Sequence, residues 1–178
     1  MSRSACLRSA ALVLLVLAAL AACTKKPANI FEAVEHDDHG YVVDWLEAGG
    51  NPNTLSPRNE SLLYIATGPH GGNKVLAELL KACADPNLGA YGYTPLMNAA
   101  SWVNLPGVEL LLAHGADPHQ RNAEGETAVE LVGLSGGREQ HVIARLKKAT
   151  TQGAPHPSTR RACQGRPLRS GQAASGGR

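Results

Sequence analysis

Apolar residues fall three and four positions apart in "KVLAELLKA" (74–82), "GVELLLAH" (107–114) and "EQHVIARLKKA" (139–149). That spacing predicts amphipathic helices rather than strands. Upstream of each lies a shorter apolar run, in "NESLLYIAT" (59–67), "GYTPLMNAA" (92–100) and "GETAVELVG" (125–133). These runs open on Ser61, Thr94 and Thr127, which are spaced 33 and 33 residues apart. A Ser or Thr there caps a helix by accepting a bond from its first free N–H groups. Pro95 occupies the first helical position, where no N–H is needed. Polar, Gly-rich turns join each short helix to the longer one: "GPHGGN" (68–73), "NLPG" (104–107) and "GLSGG" (133–137). The longer helices then end alike, in "WLEAGGNPN" (45–53), "LLKACADPN" (79–87) and "LLAHGADPH" (111–119). Gly115 suits the left-handed residue that stops a helix. Cys83 takes that place one repeat earlier, at a cost of about 1 kcal/mol if the conformation is kept. A fixed period of this size means stacked helix–turn–helix units.

The repeats resemble those of the ankyrin family. "TPLMNAA" stands where that family has Thr-Pro-Leu-His-x-Ala-Ala, and "GVELLLAHGADPH" matches its second half. The resemblance implies an all-α solenoid of about four repeats, at about 28–53, 57–87, 90–119 and 123–149, with hairpin-like turns between them. Asn29 is the expected first N-cap, and Lys147 and Lys148 suit the last helix's C-terminus. Tyr64, Met97 and Glu130 stand where the family has its motif His, which predicts looser turns.

The start of the chain does not read as part of this fold. Arg3 and Arg8 precede "AALVLLVLAAL" (10–20), an apolar run too short to span a bilayer. "LAAC" (20–23) follows directly and resembles the lipobox of bacterial lipoproteins. That resemblance implies a signal peptide over 1–22, lipid on Cys23 and a tether over 23–27. The expected location is the bacterial envelope, facing the periplasm. Thr24, rather than Asp, after the Cys favours the outer membrane. Of the remaining cysteines, Cys163 lies in a Gly/Pro/Ser/Arg-rich tail, so Cys83 and Cys163 are expected to react independently rather than pair.

Charge divides the 178 residues unevenly. Residues 27–149 carry 15 acidic and 8 basic side chains, a net of −7, whereas 150–178 carry five Arg and no acid. The acidic body disfavours nucleic acid. The basic tail has too few large apolar side chains to offset its ordering entropy and is expected to be disordered. Aromatics make up only 4% of the chain, so the core must rest on Leu, Val and Ala, and Trp45 is expected in it.

No catalytic, cofactor or metal site is expected. "GLSGG" matches a nucleophile elbow but sits in a helix–helix turn, not after a strand. "HDDH" (36–39) offers metal-ligating side chains in another such turn. "GPHGGNK" (68–74) lacks the final residues of a phosphate loop. The family resemblance instead implies protein binding through turn tips and first-helix surfaces. On this sequence those positions hold Tyr91, Tyr93, Ser101 and Trp102 in the third repeat. Arg58, Glu60, Arg121, Asn122, Glu124 and Glu126 stand on the neighbouring tips. Tyr and Trp bury much area at small entropic cost. The expected function is therefore a monomeric lipoprotein that binds an envelope protein. An immunity role against a secreted toxic enzyme is the alternative.

Overall fold

The computed structural model describes residues 27–132 and 139–152. The lipobox, the "GLSGG" turn and the tail beyond Gln152 lie outside the described residues. Among the described residues seven helices follow one another: α1 Ile30–Glu35, α2 His39–Glu47, α3 Leu62–Ala66, α4 Asn73–Lys81, α5 Pro95–Ser101, α6 Leu105–Ala113 and α7 Glu139–Gln152. They form two layers. The first helices α1, α3 and α5 lie side by side, and the second helices α2, α4, α6 and α7 form the other layer, each pair in contact with its neighbours.

The caps form where the sequence requires them. The side chains of Asn29, Ser61 and Thr94 accept from the backbone N–H of Glu32, Tyr64 and Met97. Gly115 is left-handed at φ 90°, and Cys83 keeps that conformation at φ 69°. The Cys83 sulfur is in a disulfide, so it is not the independent thiol expected from the sequence. Lys147 and Lys148 are not at the end of the last helix, since α7 continues to Gln152.

Loss of the motif His loosens less than expected. Met97 Sδ accepts the Thr94 N–H at 3.4 Å. Glu130 Oε2 accepts the Thr127 N–H at 2.6 Å and the Thr127 hydroxyl at 2.9 Å. The Thr127 hydroxyl is thereby drawn to a side chain instead of the next backbone N–H. Residues 128–131 make a turn rather than a helix.

The repeated endings form a ladder across the stack. Asn53 Oδ1 accepts from Asp85 N at 2.7 Å, and Asn87 Oδ1 accepts from Asp117 N at 2.8 Å. Within each ending, Asn51, Asp85 and Asp117 accept from the N–H two residues on. "NPN" and "DPN" therefore recur because one residue shapes its own turn and the other satisfies the next repeat's backbone, and "DPH" keeps the first of these roles.

The intrarepeat turns are tied in the same manner. Asp37, left-handed at φ 53°, reaches the next repeat, where its Oδ1 accepts from Val75 N at 3.2 Å. A Cβ on Gly72, the N-cap of α4, would lie 1.7 Å from the Asp37 carboxyl carbon. One repeat thus supplies the capping group for the helix of another. Asp38 caps α2 through Tyr41 N, and His39 Nε2 lies 3.6 Å from Glu78. Three of the four "HDDH" side chains are engaged in capping and pairing.

Between the layers runs one apolar core. Leu62, Leu63, Leu76, Leu79, Leu96, Leu111, Leu112 and Leu146 are each at most 1% exposed. Trp45 lies at the edge of this core rather than within it. Its ring packs on Gly50, where an added Cβ would come within 2.3 Å.

Two predictions follow from this packing. Leu111→Ala and Leu112→Ala should each cost about 2–5 kcal/mol in denaturant melts, and losses under ~0.5 kcal/mol for both would contradict the stack. Gly72→Ser should destabilise by more than ~1 kcal/mol, because the new side chain collides with Asp37. At an open N-cap the same change would be neutral or slightly favourable. In an Asp37→Ala background the penalty should vanish, and a double-mutant cycle in urea reads the difference.

Candidate functional site: a groove across the first helices

The first helices have their outer faces uncovered. A groove of about 920 Å³ runs across them. Its walls are the first turn tip (Ser56, Pro57, Arg58, Glu60) and the intrarepeat turns (His36, Gly68–Gly71, Trp102). Its floor carries Phe31, Glu32 and Glu35 from α1, Tyr64 and Ile65 from α3, and Asn98 from α5.

Local geometry presents the aromatics. Trp102 is the C-cap of α5, and the next residue, Val103, turns left-handed at φ 54°. For a β-branched residue that is a strained backbone. The indole is left 55% exposed at the helix end. Tyr91 and Gly92 form the second tip, both left-handed at φ 54° and 81°. Ala90 and Tyr93 close this two-residue hairpin with paired backbone bonds of 3.0 and 2.8 Å. Such a loop prefers Asn-Gly or Gly-Gly, so Tyr at its first position is held against local preference. Tyr91 is 63% exposed and meets Tyr64 edge-on, with ring centroids 6.4 Å apart. Burial, and next the nearby Glu60 carboxylate, push the Tyr64 hydroxyl above its ordinary value.

The floor is fixed from beneath. Asn98 Nδ2 donates to the Tyr64 carbonyl at 2.9 Å and to Thr67 Oγ1 at 3.2 Å, tying α5 to α3.

The residues expected from sequence separate into groups. Trp102 and Arg58 line the groove, and Tyr91 adjoins it through Tyr64. Tyr93 packs against the core and is only partly exposed. Ser101 is exposed, with its hydroxyl donating to the Asn98 carbonyl at 2.9 Å. Arg121 and Glu124 are exposed on the third tip, outside the groove lining. Asn122 is not an available tip residue. It is 7% exposed; its Oδ1 accepts from Glu124 N and Glu126 N, and its Nδ2 donates to Glu126 Oε2. It folds its own turn, as Ser56 does at the first tip by accepting from Arg58 N and Glu60 N. Phe31, Glu32, Glu35, Tyr64 and Asn98 were not foreseen. For all but Asn98, which lies on α5 itself, the signal lay in the degenerate first and second repeats, at positions equivalent to the α5 surface.

The comparisons agree with this architecture. The family model for ankyrin repeats (many copies) matches residues 79–132. A crystal structure of the human ASB11 ankyrin repeat domain superposes with a TM-score of 0.58 at 28% identity, over 65% of this chain and 52% of that one. The stack is built of ankyrin repeats. A putative ankyrin repeat-containing protein of Treponema pallidum is 34% identical over 120 residues, which is 66% of this chain and 39% of that protein. The mouse 2-5A-dependent ribonuclease is 36% identical over 91 residues, 48% of this chain. The chain spans only 12% of that ribonuclease's length.

Because Trp102 and Tyr91 lie on the surface of the ankyrin stack, Trp102→Ala and Tyr91→Ala should each change stability by no more than about 1 kcal/mol. Urea melts test this. Losses of the size expected at Leu111 would place these rings in the core instead.

Proposed function

We propose that this chain is a membrane-anchored ankyrin-repeat lipoprotein that faces the periplasm and binds a protein of the bacterial envelope across its first helices. The observation carrying the binding role is the groove with two exposed aromatics at its margin, Trp102 and the conformationally strained Tyr91. Exposed Tyr and Trp beside a formed groove are the material of binding hot spots. Among the described residues, no group of three or more His, Cys, Asp or Glu is placed to hold a metal ion, and the "HDDH" carboxylates serve as caps. The anchor rests on "LAAC" placed directly after an apolar run.

Two measurements test the two halves separately. Cys23→Ser should abolish palmitate labelling and block signal cleavage, and a variant that still matures and stays membrane-bound would refute the anchor. In affinity capture from envelope extract, Trp102→Ala and Tyr91→Ala should each weaken retention of the partner by about 2 kcal/mol or more. Undiminished capture by the Tyr91/Tyr93/Trp102 triple-alanine variant would refute the binding surface.

A further inference from the structure

The charges around the groove are as unequal as those of the body. Glu32, Glu35 and Glu60 line it against one permanent cation, Arg58, with the imidazoles of His36 and His70 on its walls. Among the described residues none of the three carboxylates is in an ion pair. The recorded pairs lie elsewhere, at His39–Glu78, Lys81–Glu78 and Arg121–Glu130. Glu32 accepts from Ala28 N at 2.7 Å, and Glu60 accepts from the Ser56 hydroxyl at 3.1 Å. These contacts steady the two carboxylates without neutralising them. Glu35 is exposed. Facing them across the groove is the Trp102 indole, whose π face attracts cations.

Resting on the protein-binding reading, we propose that the groove takes a short extended segment of its partner that carries Lys or Arg side chains. The cationic heads pair with Glu32, Glu35 and Glu60, and one of them, or an adjoining apolar side chain, lies over Trp102. Dimensions fit this occupant. Three helices packed side by side at about 8–10 Å span about 20 Å from α1 to α5, the reach of about six extended residues at ~3.3 Å each. An acidic segment would meet three like charges in a partly desolvated site, so the groove selects against it.

The test uses the full chain in non-ionic detergent and a fluorescein-labelled octapeptide of alternating Lys and Leu, with its Glu-for-Lys counterpart as the control. The Lys peptide should bind at least tenfold more tightly, and binding should weaken as salt rises from about 50 to 300 mM. The E32Q/E35Q/E60Q variant should lose at least tenfold in affinity with an unchanged melting curve, and Trp102→Ala should do the same. Glu47→Gln and Glu109→Gln, exposed acids on the opposite layer, should bind as the parent does. Equal binding of the two peptides, or equal losses from the opposite-layer variants, would overturn the proposal, the second by showing diffuse attraction to an acidic body. A tenfold gain on deleting 153–178 would also overturn it, making the Arg-rich end of this chain the occupant. Envelope-partner capture that still depends on Tyr91 and Trp102 while the Lys peptide fails to bind would leave the protein-binding role standing and remove only the cationic assignment.

Discussion

The second and third repeats of this chain do not satisfy their own backbones. The turns leave N–H groups that must be paired when buried, and the side chains that pair them come from the adjacent repeat. Asn53 serves Asp85, Asn87 serves Asp117, and Asp37 serves Val75. Asn98 and Asn104 reach the other way along the chain, to the Tyr64 carbonyl and the Asn73 side chain. Apolar packing between the layers gives the stack its cohesion, but it is nearly indifferent to sliding by part of a turn. The polar bridges are directional, and they set the register in which one unit meets the next.

That constraint decides which polar residues remain available for recognition. Asp37 is taken up at a repeat junction, and Asp38 and Asn122 are taken up within their own turns. On the outer face of the first helices Asn98 serves a junction, whereas Glu32, Glu35 and Trp102 have none to serve. The strain at Tyr91 and Val103 fits the same division. Neither left-handed residue is one that local preference would choose, and each shapes a turn at the edge of the uncovered face. Such a conformation persists only where the surrounding structure fixes it. Here the paired Ala90–Tyr93 bonds and the packing of Val103 against the core do so.

The sequence disclosed the parts governed by short-range rules. Caps at Asn29, Ser61 and Thr94, the left-handed turn at Gly115 and the heptad-like spacing of the second helices all follow from neighbours within a few positions. What it concealed depended on residues about 30 positions apart. Gly72 reads as a poor cap until Asp37 is seen in its place. The candidate site shows the same division. Trp102 and Tyr91 were legible because the third repeat matches the motif well enough to align position by position. Glu32, Glu35 and Tyr64 were not, because their repeats lack the Thr-Pro landmark that locates the first-helix surface.

The ends of the stack also bear on where recognition can occur. In the fourth unit, Glu130 draws the Thr127 hydroxyl away from its backbone, and residues 128–131 close only a turn. The second-helix layer continues into α7, whereas the first-helix layer ends, among the described residues, at α5. A ligand lying across first helices therefore has its regular platform on the first three repeats. The aromatic end of that platform is Trp102 and the acidic end is α1, with Glu32 and Glu35. The asymmetry gives the two ends of the groove different chemistry, by which the proposed segment would be bound in one orientation.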